Sequence, residues 1–169
     1  MALPSILKNF NVFLDGTSYA GQAEEIQLPK LSRKMEEWSG GGMSGTVEID
    51  MGLEALTLEQ TYGGIIRGIL DQWGLTRHDG AMIRFAGAYQ AQDSDQVDAV
   101  EVVVRGRHKE IDPGSAKMGD KTAFKVVTAV SYYKLTINGA DVIEIDVMGM
   151  IEKVNGVDRQ TAIRTAIGM

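Results

Sequence analysis

Tyr133-Lys134-Leu135-Thr136-Ile137-Asn138-Gly139-Ala140-Asp141-Val142-Ile143-Glu144-Ile145-Asp146-Val147 is the stretch from which the fold follows. Asn138-Gly139 accepts the positive φ angles of a tight hairpin turn, which most residue pairs resist. On the returning arm Ile143, Ile145 and Val147 alternate with Glu144 and Asp146. That two-residue period belongs to a strand with one buried and one wet face. The pair therefore reads as an antiparallel hairpin.

Working outward, the same period recurs along most of the chain. Upstream, Phe124 to Ile137 exceeds the usual strand length of about 3–10 residues. It is apolar on both faces around Val126 to Val130, so a bulge or a strand buried on both sides is expected. Val100, Val102 and Val104 make one alternating run, and Ile83, Phe85 and Tyr89 another. Asn11-Val12-Phe13-Leu14 runs into Asp15-Gly16, a second hairpin signal, and the chain resumes through Tyr19 toward Ile26 and Leu28. Val47, Ile49 and Met51 alternate with Thr46, Glu48 and Asp50; Leu56, Leu58 and Tyr62 alternate with Thr57, Glu59 and Thr61. A turn at Gly52 to Glu54 would place Glu48, Asp50 and Glu59 on one polar face.

Two segments carry helical spacing instead. Ile65, Ile66, Ile69, Leu70 and Trp73 form an apolar stripe, with Gly63-Gly64 before it and Gly74 at the expected C-cap. A shorter helix is expected from Asp158 as N-cap, with Ala162, Ile163, Ala166 and Ile167 as its stripe and Gly168 as its end. At about ten residues neither is stable alone in water, so both are expected to dock. The whole reads as mainly β: an antiparallel β-sandwich or small barrel with one flanking α-helix and a short C-terminal helix. No repeat or linker divides the chain, and 169 residues suit a single domain, 1–169. Two stretches punctuated by glycine or proline, Pro29 to Gly45 and Asp112 to Gly119, read as long loops.

Composition excludes several classes. With 44% hydrophobic residues and 20 glycines in no three-residue period, the chain is neither disordered nor collagen-like. It has no cysteine, so disulfide frameworks, thiolate zinc sites and cysteine nucleophiles are excluded. A formal net charge of -6 argues against a surface that grips phosphate backbones. No run of 18 apolar residues is present to span a bilayer as a helix. Met1 to Phe10 lacks the apolar core of a signal peptide, so a soluble product not exported by a cleaved leader is expected.

Catalytic chemistry finds little footing. His78 falls in an expected turn and His108 in a basic strand end beside Arg105, Arg107 and Lys109; both are expected at the surface, and neither has metal-ligand spacing. The basic cluster is followed at once by Glu110 and Asp112 and has no interleaved aromatic residue, unlike a nucleic-acid groove. Glu48, Asp50 and Glu59 could suit a hydrolytic pair or a hard cation, but alternation along a hairpin produces such a face without any ligand. No cofactor or metal is expected.

The stretch 29–45 says more. It carries Lys30, Arg33, Lys34, Met35, Trp38 and Met43 among glycines and acids. Leu31, Met35 and Trp38 would share one side of a helical turn or punctuate an extended arm. Trp, Met and Arg are enriched at protein interfaces, and this stretch has no evident core to join. It reads as an interaction loop that docks on another subunit, against the plainer alternative that Trp38 folds back on its own domain.

These residues resemble a known family, the major tail tube proteins of contractile-tailed bacteriophages (the myovirus tail tube family). The resemblance is carried by Asn11 to Gly16, Leu28 to Lys34, Ile83 to Gln90, Glu101 to Asp112 and Ile143 to Arg159. They occur in order and span nearly the whole chain; Gly52 to Met82 and the last ten residues match least well. The resemblance implies a non-enzymatic virion protein whose hexameric rings stack into the inner tail tube. That tube lies within a contractile sheath, encloses a tape-measure protein, meets baseplate and terminator proteins, and conducts DNA into the host. Assembly in the bacterial host cytoplasm follows, with no membrane anchor. Under this reading Lys30, Arg33, Lys34, Met35, Trp38 and Met43 are candidates for the inter-subunit stacking loop. Glu48, Asp50 and Glu59 are candidates for the lumen lining, since an acidic wall repels the phosphates that pass it. Two alternatives stand beside it: the tube of a contractile bacteriocin or type VI-like secretion system, and a monomeric β-barrel binding a small ligand.

Overall fold

In the computed structural model, which describes residues 2–169, the chain runs as β1 (Ser5–Leu14), β2 (Thr17–Ser18), β3 (Ala23–Gln27), β4 (Arg33–Trp38), β5 (Val47–Leu53), β6 (Leu56–Tyr62) and α1 (Arg67–Leu70). There follow β7 (Ala81–Ala91), β8 (Val97–Asp112), β9 (Phe124–Ile137), β10 (Ala140–Asp146), β11 (Ile151–Val154), β12 (Val157–Asp158) and α2 (Thr161–Ala166). Met1, the first residue of the expected domain, lies outside the described residues. The mainly β, antiparallel class is as expected.

Ten strands form one sheet in the order β12-β11-β10-β9-β8-β7-β1-β2, with β6 also paired to β9 and β3 paired to β6. The turns that join neighbours explain the order. Asn138 (φ 50°) and Gly139 (φ 78°) turn β9 into β10, and Asp15 (φ 45°) and Gly16 (φ 84°) turn β1 into β2. Both turns stand where the sequence places them, but the return from the first is short: only Thr17–Ser18 pair with β1, and Ala23–Gln27 pair with β6 instead.

The long strand β9 does carry a bulge, and the sheet branches there. Arg105 faces Tyr132 while Gly106 faces Val130, so Ser131 has no partner on β8. Residues 124–130 of β9 pair with β6, whereas residues 132–137 pair with β10. An extra residue raises local twist and lets one strand serve two wings. The Ser131 hydroxyl donates to the carbonyls of His78 (3.3 Å) and Arg105 (3.4 Å), which fastens the branch point.

Folding the β3–β6 wing against β1, β7, β8 and β9 encloses the core. Leu56, Leu58 and Tyr62 of β6 meet Val12, Leu14, Ile83, Phe85, Val102, Val104, Phe124 and Val126, all buried. Tyr62 links two rings, lying edge-on to Tyr19 at 6.0 Å and tilted to Phe124 at 6.4 Å. Gln60 takes an inward position among them, accepting the Tyr62 hydroxyl.

Both helices depart from expectation. The stripe over 65–73 becomes a four-residue helix in which Ile66 and Ile69 reach the core, while Ile65, Leu70 and Trp73 stay exposed. Ile66 is extended (φ -104°, ψ 106°) with no side-chain cap, and β-branched residues beside Gly63, Gly64 and Gly68 supply weak helical propensity. Asp158 ends β12 rather than capping α2, whose N-cap is Gln160. The stripe of α2 does not dock: Ala162, Ile163, Ala166 and Ile167 are exposed.

Candidate assembly surface

The stretch 29–45 is a strand followed by a loop. Residues 33–38 form β4, every residue of which is exposed, and β4 pairs only with β5 in a separate two-stranded sheet. Glycines 40–42 and 45 belong to the connection at the tip, where the Met43 sulfur accepts the Gly40 N–H at 3.2 Å. Of the two forms open to Leu31, Met35 and Trp38, the extended arm is the one present.

Register sorts the hairpin's side chains into two faces. Trp38 lies opposite Val47 and Glu36 opposite Ile49; Glu37 lies opposite Glu48 and Met35 opposite Asp50. Since paired residues project to the same side, one face is mainly apolar (Trp38, Val47, Ile49) and the other acidic with Met35 and Arg33. Trp38 is 58% exposed, and Val47, Ile49 and Met51 are comparably open. Lys34 makes only a long contact with Glu36 at 3.9 Å, and Lys30 is exposed ahead of the strand.

This pairing corrects the expected acidic face. β5 pairs with β4, not with β6, so a turn at Gly52–Glu54 does not bring Glu59 beside Glu48 and Asp50. Gly52 (φ 113°) instead sits in a bulge, and Leu53 turns back to pack on the core. Glu59 stands on the outer face of the main sheet, opposite Val127. Asp50 is engaged by Arg33 at 2.9 Å.

The root of the hairpin rests on the C-terminal segment. Arg33 also donates to Glu152 of β11. Gln160 donates to the other Glu152 oxygen at 3.2 Å, and Asp158 accepts from the backbone of both Glu152 and Gln160. Arg164 binds Asp158 at 2.6 Å, and this donation holds the Asp158 carboxyl down to about 2. Nothing local in the sequence marks Glu152; only tertiary contact reveals it.

The two histidines separate. His78 is exposed as expected, but His108 is buried, which corrects its assignment to the surface. Its Nε2 faces Gln72 Oε1 at 3.1 Å and its Nδ1 faces Thr128 Oγ1 at 2.9 Å. Gln72 in turn donates to Asp15, so Nε2 carries the proton and Nδ1 accepts from the threonine hydroxyl. Alternation explains the placement: Val102, Val104, Gly106 and His108 share the inward face of β8. Arg105, Arg107 and Lys109 point outward into solvent.

Among the described residues no group of three His, Asp or Glu side chains could hold a metal ion, and no helix is long and apolar enough to cross a membrane. A groove of about 550 Å³ lies on the outer face of β7–β10, lined by Glu101, Arg105, Tyr132, Lys134 and Asp146. Two of these charges are engaged by residues at its margin: Glu101 by Arg84 at 3.0 Å and Lys134 by Asp141 at 3.2 Å. Burial, then donation to Glu144, raises the Tyr132 hydroxyl to about 12. These are properties of a tied-down sheet surface, without a nucleophile and base in reach of each other.

Residues 4–168 match the family model described as phage tail tube protein FII. The chain belongs to that family. It is 46% identical to the tail tube protein of Escherichia phage P2 over 172 residues, covering all of both chains. It is 37% identical to the major tail tube protein of Serratia phage KSP20, covering 92% of this chain and 91% of that one. In fold it resembles a chain of the sheath/tube terminator of an extracellular contractile injection system (TM-score 0.60, 8% identity, 79% of this chain and 96% of that). A chain from the sheath-tube complex of the same system in its extended state matches equally well, covering 79% and 91%. This member of the family is therefore a structural protein of the phage tail, not an enzyme.

Proposed function

We propose that the chain forms hexameric rings that stack head-to-tail into the inner tube of a contractile tail, with the β4–β5 hairpin as the contact between rings. One observation carries this. Strand β5 has the alternation of a half-buried strand, yet among the described residues nothing covers the hairpin's apolar face. A second copy supplies the missing cover, and contact between two different patches of identical subunits propagates into a stack. The sixfold ring is what the family resemblance implies.

The like-charged pair Glu37–Glu48 supports the same reading. Direct cross-strand repulsion costs roughly 0.2–1 kcal/mol in the isolated subunit, so this face is not arranged for the hairpin's own stability. An acidic surface beside passing DNA repels phosphates and avoids counterion release that would hold the polymer. Glu48, Asp50 and Glu59 are the proposed lumen lining, reached from two separate strands. The sheath, tape-measure and baseplate or terminator proteins are the proposed partners.

Replacing the central aromatic tests the assignment. Trp38→Ala should abolish tubes in electron micrographs while the subunit's circular dichroism and melting stay unchanged, because truncating a buried interface anchor costs about 2 kcal/mol or more per contact. Tubes formed by the folded variant at wild-type concentration would overturn it.

A further inference from the structure

The hairpin that stacks the rings has to leave the body at a definite angle. No strand of the main sheet lies alongside it. Among the described residues, one polar side-chain contact joins residues 33–53 to the body: Arg33 to Glu152. Every other side-chain hydrogen bond and ion pair of the hairpin stays within it, as with Arg33–Asp50 and Lys34–Glu36.

We infer that Glu152 is the positioning residue of the hairpin, and that the C-terminal segment sets the hairpin's angle through it. Glu152 is the better buried partner, its side chain 15% exposed against 37% for Arg33. Its other oxygen is held by Gln160, and its backbone N–H is held by Asp158, which Arg164 locks. Arg164 further donates to the Met150 carbonyl at 2.5 Å, one residue before β11. Thus β11, β12 and α2 form one cross-braced corner that presents a fixed carboxylate to the root of a free-standing arm. Arg33 bridges that carboxylate to Asp50 and so couples both hairpin strands to the corner. A bridging guanidinium with two carboxylates restricts angle as well as distance.

This inference rests on the stacking reading only for its consequence; the geometry is testable in the single subunit. The chain has no cysteine, so Gly41→Cys at the hairpin tip and Arg107→Cys on the outer face of β8 can each carry a spin label. Both positions are open. The unassembled subunit, isolated by size exclusion, should give one narrow label-to-label distance distribution. Glu152→Gln should broaden it, raising the population of displaced orientations by about tenfold, the weight of one charge-assisted hydrogen bond. Arg33→Gln should do the same, and the double variant should add nothing further, as two ends of one interaction require. Melting of the body should be unchanged in all three. A distribution that stays narrow in Glu152→Gln, or additive broadening in the double variant, would overturn the inference. Trp38→Ala in the same labelled chain should end assembly and leave the distribution narrow, so a failure of stacking is read separately from a failure of positioning.

Discussion

His108 shows how a single side chain can tie separate parts of this fold. It connects β8 to β9 through Thr128 and to the segment after α1 through Gln72, which is fixed by Asp15 in the β1–β2 turn. Burial holds the imidazole below its ordinary value of 6.5, with the Asp15 charge opposing in part. The unfolded chain takes up this proton first as pH falls. Stability is therefore full above about pH 6.5 and declines as pH drops below it toward the lower folded value. Urea unfolding should show the wild type less stable at about pH 5.5 than at about pH 7.5. The His108→Gln variant should lose much less, and an equal loss in both would refute this origin. The carboxylates held low, Asp158 and Asp141, act only at more acidic pH. That His108 turns inward is legible in the alternation of β8 once its phase is known. A basic run beside it, Arg105, Arg107 and Lys109, masks the phase, because charge along a sequence reports neither face.

At the scale of elements, the bulge in β9 decides the topology. Phe124 to Ile137 is too long and too apolar on both sides to be an ordinary strand, and that much is visible in one dimension. Which strands pair with each half is not. The price of the bulge falls on Gly106, where an added Cβ would lie 2.0 Å from the Ala129 carbonyl oxygen. Gly106→Ala should destabilise the fold by about 3 kcal/mol, at the top of the usual range for overpacking, in chemical unfolding. Gly41→Ala, where a Cβ meets nothing, is the control and should be near neutral. A neutral Gly106→Ala would mean that the strands can separate without cost. The helices show the opposite case, a pattern that promises burial and does not receive it. Ile163 and Ile167 share a stripe, yet α2 is braced by Arg164, Asp158 and Gln160 rather than by apolar packing. The β5 alternation is of this kind too: Val47 and Ile49 mark an apolar face, and in the single subunit that face stays exposed.

Across the whole molecule, charge and family agree on a structural role. A formal charge of -6 with Glu48 and Glu59 on outward faces suits the proposed lumen wall. Lysine at these two positions should leave tubes intact in micrographs but slow or block genome release, because each added cation strengthens phosphate binding through counterion release. Unchanged release would remove both residues from the lumen. Asp50 is left out because its reversal would break the Arg33 bridge.

Sequence alone determined the secondary-structure class, both tight hairpin turns, the unusual length of β9, the exposed tryptophan stretch and the family, because each depends on local periodicity, turn chemistry or similarity along the chain. Tertiary structure alone decided that β5 pairs with β4 instead of β6, that His108 is buried, that neither helix docks its full stripe, and that Glu152 holds Arg33. Those outcomes depend on which distant segments meet. Side-chain alternation states that a face prefers burial, but the partner that covers it, or leaves it open, is chosen only when the sheet closes.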